Sequence, residues 1–184
     1  VQNKIGYKNL MKLVSIGYLE GFYYRPRIDK DLLRKYNEGL ICTSACLAGE
    51  ITQFASQNDY ESAKKAALEY MEIFPDRFYL EMQNHNIPDE LSTHSILTKL
   101  SEELDIPLVA TNDCHYAIEE HWEAHDVLFC LGTDKNRSDP NRVKYEPRQF
   151  YIKSADEMYA LFKNSPQALE NTLRIAESCD LEIP

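Results

Sequence analysis

Short apolar runs and helix-patterned segments alternate through the middle of this 184-residue chain. Strands are predicted at residues 40–43, 78–82 and 107–111, where apolar residues are continuous. Residues 63–74 and 91–104, which lie between these runs, have the apolar spacing of helices. Because a helix that joins two strands carries the chain back to the start of the sheet, the strands are predicted to be parallel neighbours. The pattern therefore predicts an α/β fold.

Further elements are predicted on both sides of this unit. Helices are expected at residues 7–19, after Asp29 and ending at Gly39, at 119–131, after Ser154, and from Pro166 onwards, with a fourth strand at 149–152 and a polar stretch at 133–148. Ser154 is followed by Glu157 in a capping-box pattern. A closed α/β barrel has about seven or eight strands and about 250 residues. The chain is thus either an open part of a barrel or a small independent α/β sheet.

The charge of the chain limits how it can bind nucleic acid. It carries 30 acidic and 20 basic residues, a formal net charge of −10. Such a surface repels phosphates, so contact with nucleic acid would need a metal site or a local basic patch. The surplus carboxylates can equally serve solubility. The segment Tyr23–Arg27 interleaves aromatic and basic residues: it can contact a phosphate or a stacked base, or form a loop in which Arg25 and Arg27 pair with acidic side chains.

Cysteine content and hydropathy indicate the compartment. The five cysteines are an odd number without a CxxC pair, which argues against a disulfide framework or a zinc finger and favours a reducing environment. No apolar stretch reaches the ~18 residues of a membrane span. The sequence predicts a cytoplasmic protein without a membrane partner, and its start at Val1 rather than methionine suggests a piece of a longer chain.

Asp113 and His115 are the candidate catalytic and metal-binding residues. They directly follow the strand predicted at 107–111, and side chains two residues apart in extended chain point the same way. Parallel α/β folds place active sites at this carboxyl end of the strands. One carboxylate and one imidazole suit Zn²⁺, Mn²⁺ or Fe²⁺. The alternative is an aspartate in a turn and a histidine that caps a helix.

Other side chains could join this rim of the sheet. Cys46 follows the first strand and precedes a predicted helix, whose N-terminus would favour a thiolate ligand, although a cysteine near a core can also be a small apolar filler. Glu81, Asn84 and His85 follow the second strand, without a spacing that sets them above surface residues. A final histidine pair, His121 and His125, lies four residues apart but lacks the glutamate of a zinc-protease motif, which favours packing or solvent contact.

Several segments together resemble one family. They include Gly6–Leu10, Ser15–Gly21, Pro26–Asp29, Ser44–Glu50, Phe78–Glu81, Pro107–Asp113, Ala124–Leu128, Asp139–Arg142 and Ala168–Thr172. In this order they are similar to the PHP (polymerase and histidinol phosphatase) domains of bacterial replicative polymerase III α subunits, the C-family polymerases. The resemblance covers nearly the whole chain.

The resemblance implies part of a distorted (β/α)7-type PHP barrel, in which parallel strands alternate with helices. Residues 1–184 would be the C-terminal portion of that domain, with about 133–184 leading toward the polymerase core. It also implies that Cys46, Asp113 and His115 are ligands of divalent metal ions (Zn, Mn, Mg or Fe), without a small-molecule cofactor. The family's other ligands, a His-x-His pair and further His, Asp and Glu residues, are expected before Val1. The isolated chain is therefore expected to bind metal weakly or not at all.

Two functions follow from this resemblance. The longer protein would be a DNA-directed DNA polymerase of DNA replication, with DNA and other replisome subunits as partners. Its PHP region would be either a metal-dependent phosphoesterase with 3′→5′ exonuclease (proofreading) activity or a scaffold that stabilises the polymerase or docks a proofreading subunit. A free-standing phosphatase would need the complete ligand set, which this chain does not contain.

Overall fold

Eight α-helices and three short strands make up the fold in the computed structural model, which describes residues 1–183. The helices are α1 (Lys4–Leu19), α2 (Lys30–Tyr36), α3 (Glu50–Ser56), α4 (Tyr60–Ile73), α5 (Pro88–Leu104), α6 (Trp122–Thr133), α7 (Ala155–Leu161) and α8 (Pro166–Glu177), and the strands are β1 (Cys42–Thr43), β2 (Phe78–Gln83) and β3 (Leu108–Thr111). A 3-10 turn at Glu119–His121 precedes α6. Among the described residues, no helix has the length and apolar content that a bilayer crossing requires.

The three strands form one parallel sheet in the order β1-β2-β3. Cys42 pairs with Phe78, and Leu80 pairs with Leu108. Helices α3 and α4 connect the first two strands, and α5 connects the last two. The predicted α/β fold, its parallel pairing and its neighbour order are confirmed, and the architecture agrees with part of a PHP-type barrel.

The prediction of a strand at residues 149–152 is wrong. This segment makes a single parallel bridge, between Tyr116 and Tyr151, and extends no ladder within the described residues. Its anchoring comes instead from scattered bonds: the amides of His115 and Tyr116 both donate to the carbonyl of Phe150, at 2.7 and 3.2 Å. Phe150 is buried but Ile152 is 65 % exposed, so the apolar residues of the segment reflect the burial of Phe150 and not the pairing of its backbone.

The core lies on one face of the sheet. Along β2 the buried residues alternate with half-buried ones: Phe78, Leu80 and Met82 face the helices, while Tyr79, Glu81 and Gln83 lie on the opposite face. The helical side of the core includes Ala63, Ala66, Ala67, Ile96, Leu97, Leu100, Ala168 and Leu169. A strand with period-two burial has one face in a core and one polar face. The polar face of β2 therefore carries the side chains available for chemistry.

Helix α8 closes the outer edge of β3. Asn171 is buried, and its Nδ2 donates to the carbonyl oxygen of Leu108 at 2.7 Å. The Leu80 amide donates its sheet hydrogen bond to the carbonyl of Pro107, so the next carbonyl along β3, that of Leu108, points away from β2. The side-chain amide thus satisfies a backbone acceptor that no strand reaches.

Candidate metal-binding rim of the sheet

Glu81 is the centre of a hydrogen-bond network across all three strands. Its Oε2 accepts from Thr43 Oγ1 at 2.6 Å, and its Oε1 accepts from Thr111 Oγ1. Thr43 and Thr111 are the last residues of β1 and β3. A carboxylate therefore lies in the middle of the edge formed by the carboxyl ends of the strands. From the sequence, Glu81 was not distinguished from a surface residue. The signal for it was its position opposite Leu80 and Met82 in the period-two pattern of β2, but that period does not reveal its partners on β1 and β3.

The predicted pair, Asp113 and His115, lies together just beyond β3. His115 Nδ1 is 2.8 Å from the backbone carbonyl of Asp113 and 3.8 Å from its carboxylate Oδ1. Because a carbonyl only accepts, the Nδ1 of a neutral His115 carries the proton and its Nε2 keeps a free lone pair. This is the tautomer that a metal ligand needs, with the carbonyl as the acceptor behind it.

Aromatic rings fix the orientation of the His115 ring. Its centroid lies 4.3 Å from that of Tyr145, 5.6 Å from Phe150 and 5.7 Å from His125. Burial lowers the pKa of His125, and the nearby His115 lowers it further. A neutral His125 imidazole is thus favoured in this corner of the rim. His125 serves in packing here, as expected from the sequence, and the exposed His121 lies in the preceding 3-10 turn.

Asn112 ties the Asp113–His115 segment to the chain that follows α6. Its Nδ2 donates to the carbonyl of Tyr151, and its Oδ1 accepts from Lys153 Nζ at 3.1 Å. Lys153 is buried and also donates to the carbonyl of Gln149. Burial lowers the pKa of Lys153, opposed by nearby acidic groups. Two backbone carbonyls and one buried ammonium thus hold the segment that carries the candidate ligands.

Cys46 lies in a turn after β1, beside Glu81. Cys46 precedes a helix, as predicted, but the N-cap of α3 is Gly49, three residues further along the chain. The backbone carbonyl of Cys46 accepts from the Gly49 amide at 2.8 Å and from the Thr52 hydroxyl, so this carbonyl contacts the start of the helix. Cys46 and Glu81 line the same small pocket.

The three predicted ligands do not converge on one point. Within residues 1–183, no three His, Cys, Asp or Glu side chains are grouped closely enough to hold a metal ion. The physical reason is the strand order: β2 separates β1 from β3, which places their ends about 10 Å apart. Asp113 and His115 fit a metal as a pair with a free nitrogen and an exposed carboxylate, but a site would need donors in addition to them.

His85 is fully buried and is not a rim residue, which corrects the view of it as a surface histidine. Its Nδ1 lies 2.8 Å from Glu90 Oε1, its amide donates to Glu90 Oε2 at 2.7 Å, and its ring stacks on Phe150 at 4.3 Å. Its Nε2 has no hydrogen-bond partner among the described residues. Asn84, by contrast, donates to the carbonyl of Leu161 at 3.4 Å.

The polar stretch at 133–148 folds back onto α6 through a buried ion pair. Arg142 binds both carboxylate oxygens of Asp126, at 2.5 and 2.8 Å. Its side chain is only 6 % exposed. The hydrogen bond from Arg142 lowers the pKa of Asp126, and Arg137 adds to this effect. A bidentate pair of this kind fixes the path of a loop that has no regular structure.

The arginines of the Tyr23–Arg27 loop have no acidic partners. No carboxylate oxygen of residues 1–183 lies within 4.0 Å of Arg25 or Arg27, so the pairing with acidic side chains is wrong. Arg27 instead lies over the ring of Tyr23, 4.9 Å from its centroid. Asp29, the nearest carboxylate along the chain, caps α2 by accepting from the Leu32 amide.

Comparison with known proteins agrees with this architecture. Residues 1–85 match the family described as PHP domain. The chain is 54 % identical over 179 residues to DNA polymerase III subunit alpha of Borreliella burgdorferi, covering 97 % of the chain and 16 % of that relative. The corresponding proteins of Treponema pallidum and Thermus aquaticus are 45 % and 38 % identical, over 100 % and 97 % of the chain and 16 % and 15 % of the relatives.

The chain therefore spans about one sixth of the length of these relatives, since it covers 16 % of the first two. The similarity runs through both the sheet and the helices that follow it, beyond the 85 residues of the family match. By sequence, the chain belongs to the family of DNA polymerase III α subunits, as a segment that includes PHP-domain sequence.

Proposed function

We propose that this chain is part of a DNA-directed DNA polymerase that acts in bacterial DNA replication, in the cytoplasm. The observation that carries the proposal is identity of 38–54 % over nearly the whole chain to proteins named DNA polymerase III subunit alpha. DNA and other replisome subunits would be the partners of the longer protein. Nucleotide transfer itself would be performed by other parts of that protein.

We further propose that the PHP region extends through residues 1–184, with 133–184 leading toward the polymerase core. The family match ends at residue 85. Two later residues, Phe162 and Ala168, are buried in the same apolar core as β2. Removing the C-terminal helices would therefore expose the sheet, which supports one continuous structural unit.

Within this unit, Asp113, His115 and Cys46 would contribute to a divalent-metal site that other residues of the longer protein complete. When bound, such metals activate water and neutralise charge on phosphoryl oxygens, the chemistry of a phosphoesterase or 3′→5′ exonuclease. His115 would offer Nε2, held in that tautomer by the Asp113 carbonyl. Asn112 and Lys153 would keep the segment in place.

The second candidate function is a scaffold without catalysis. It is favoured because the three candidate ligands lie apart. Within residues 1–183 they do not come together as a group of three that could hold a metal ion. A rim without metal could still stabilise the polymerase or dock a separate proofreading subunit.

Metal content of the longer protein distinguishes the two. We expect stoichiometric metal by elemental analysis after gel filtration, and its loss in the Asp113→Asn, His115→Ala variant. A control variant, Asp76→Asn with His121→Ala, removes one exposed residue of each type and should keep the metal. Equal, near-zero metal in all three proteins would exclude the exonuclease and leave the scaffold. DNA synthesis on a primed template, measured in parallel, tests the polymerase assignment separately.

The 184-residue chain by itself is predicted to bind divalent metal weakly or not at all and to have no nuclease activity. A metal site needs more donors than Asp113 and His115 provide together. Equilibrium dialysis of the chain against Zn²⁺ and Mn²⁺ tests this. Stoichiometric metal that disappears with the His115→Ala change would contradict it.

A further inference from the structure

The last turn of α1 and the loop between α1 and α2 present a dense group of exposed aromatic rings. Tyr18 is 60 % exposed, Phe22 56 %, Tyr23 63 % and Tyr24 84 %. Tyr18 and Phe22 stack at 6.5 Å between centroids, and Tyr23 meets Tyr24 edge to face at 4.6 Å. Rings exposed to this degree bury little area, so their position here is not explained by the stability of the fold.

The backbone of this loop is held in a conformation that tyrosine disfavours. Tyr24 has a φ of 60°, in the left-handed region where glycine or asparagine is favoured. The turn is locked by a hydrogen bond from the Tyr23 amide to the Arg25 carbonyl at 3.1 Å. Gly21 lies so close to the Arg27 carbonyl that an added Cβ would stand 2.0 Å from it. A bulky ring kept in such a turn and pointed at solvent suggests a binding function.

Two cations accompany the rings. Arg25 and Arg27 are exposed and, among residues 1–183, have no carboxylate within 4.0 Å. The chain as a whole carries a net charge of −10, so unpaired arginines beside stacked rings are a local exception. Arginine presents a planar group that suits phosphate oxygens and aromatic faces.

We propose that the Tyr23–Arg27 loop binds single-stranded nucleic acid. Because Arg27 already lies over one face of the Tyr23 ring, unpaired bases can stack on Tyr24 and on the other face of Tyr23. The two arginines would contact the flanking phosphates. A duplex keeps its base faces stacked and would offer this loop only phosphates. An acidic protein would use the arginines but leave the rings unused. The proposal concerns a surface separate from Asp113 and His115 and does not require metal.

Fluorescence anisotropy of labelled oligonucleotides tests the proposal, with the 184-residue chain in EDTA so that metal plays no part. The probes are dT20, rU20 and a 20-base-pair duplex. We expect the single strands to bind at low salt and the duplex to bind at least about ten-fold more weakly, because it offers no free base faces for stacking. Two phosphate contacts predict a slope of log K against log salt of about −1.4 for dT20.

Three variants locate the site. Tyr23→Ala with Tyr24→Ala should weaken dT20 binding by at least about five-fold because stacking is removed. Arg25→Ala with Arg27→Ala should bring the salt slope close to zero, because each arginine that neutralises a phosphate contributes about −0.7 to it. The control, Tyr159→Ala with Lys163→Ala, removes an exposed ring and a cation elsewhere and should bind as the wild type does. Circular dichroism melting checks that each variant is folded.

Three results would overturn the proposal. They are undetectable binding of dT20 by the wild type, equal affinity of both loop variants and the wild type, and equal binding of duplex and single strand. Substitution of Tyr24→Trp gives a positive check, because the larger ring should preserve or strengthen stacking. Since no metal or polymerase activity is measured, failure here would leave the proposed function of the longer protein unaffected.

Discussion

His85 and Glu90 form a buried polar pair with two hydrogen bonds. Glu90 accepts from both the amide and the ring of His85. Burial by itself raises the pKa of Glu90, but the two hydrogen bonds from His85 outweigh it and hold the pKa below its ordinary value. A carboxyl group with a lowered pKa in the fold contributes stability above its ordinary pKa and loses it as the pH falls through the folded value.

Replacement of Glu90 by glutamine should therefore destabilise the chain in a pH-dependent way. At pH 7 we expect a loss of about 1.5–3 kcal/mol in the free energy of unfolding, since a charged acceptor is replaced by a neutral one. The difference from the wild type should shrink as the pH falls below the ordinary glutamate value of 4.5. Urea unfolding between pH 7 and pH 3.5 measures both.

The exposed Glu72 provides the control for that change. Glu72→Gln should alter stability by less than about 0.5 kcal/mol, as is usual for surface substitutions. A cost of Glu90→Gln that stayed constant across the pH range would contradict the assignment of the charge.

The burial and the contacts of individual site residues were the features hardest to predict from the sequence. His85 follows β2 and was predicted near the rim, yet it is fully buried, with Phe150 from a distant part of the chain stacked on its ring. Glu81 was visible as a strand residue but not as the link between Thr43 and Thr111. Both facts depend on partners remote in sequence. Asp113 and His115, two residues apart, needed no remote partner to meet, and their proximity was predicted.

At the scale of the elements, two serines at helix starts differ in how they cap. Ser154 accepts from the Glu157 amide, and the Glu157 carboxylate accepts from the Ser154 amide, a complete capping box. Ser165 is the N-cap of α8 but makes no side-chain cap bond. The hydrogen bonds from Tyr151 and Ser154 lower the pKa of Glu157 to about 2, so the box persists in mild acid.

Ser154→Ala is expected to cost about 1 kcal/mol, the usual contribution of an N-cap side chain. Ser165→Ala, the matched control, should cost less than about half as much because no cap bond is removed. Chemical denaturation of the two variants and the wild type compares them. Equal losses would show that the Ser154 box contributes nothing beyond the hydroxyl itself.

Two helical glycines make a second contrast. A Cβ added to Gly6 in α1 would stand 1.9 Å from the carbonyl oxygen of Gly39, whereas one added to Gly132 in α6 meets nothing within 4 Å. We predict that Gly6→Ala destabilises by about 1–3 kcal/mol or more, because backbone must move. Gly132→Ala should stabilise by up to about 1 kcal/mol through higher helix propensity. Thermal melting of both variants is sufficient, and a neutral Gly6→Ala would mean that α1 can shift away from Gly39.

Elements with local signals were predicted well. The helices after Asp29 and Ser154 start where the caps predicted, and β2 and β3 lie within one or two residues of their predicted bounds. The strand predicted at residues 149–152 is absent because only Phe150 of its apolar residues is buried, Ile152 is exposed, and the backbone makes a single bridge to Tyr116. The first strand, predicted over four residues, keeps two in the sheet.

At the scale of the whole molecule, the net charge of −10 should oppose folding through self-repulsion. Raising NaCl from 20 to 300 mM at pH 7.5 screens this repulsion. We expect the melting temperature to rise by about 2–4 °C, the equivalent of about 1 kcal/mol for a chain of this size. The exposed ion pairs work in the opposite direction but contribute little each.

The same comparison of melting temperatures at low and high NaCl, repeated near pH 5, is the control. The sequence pI is about 5.0, so the net repulsion disappears there. The salt-induced rise in melting temperature should then vanish or reverse. A rise of equal size at both pH values would show that a general salt effect, and not net charge, is responsible.

The fold class and the neighbour order of the strands were predictable because short crossovers leave little choice of topology. The set of residues that would form a complete metal site could not be predicted from the sequence. The order β1-β2-β3 separates the strand ends that carry Cys46 and His115. Only the three-dimensional arrangement shows that these ends do not meet without further donors.

The hydrogen bond from Asn171 to the Leu108 carbonyl affects which edge of the sheet can pair with another strand. With α8 seated against the outer side of β3, that margin of the sheet has no backbone acceptor to offer at this position. The opposite margin, β1, has a neighbour on one side only within the described residues. A further strand in this sheet would therefore have to pair along the outer side of β1, which ends at Thr43 next to the network around Glu81. One buried amide on a helix thus blocks strand pairing at this point of β3.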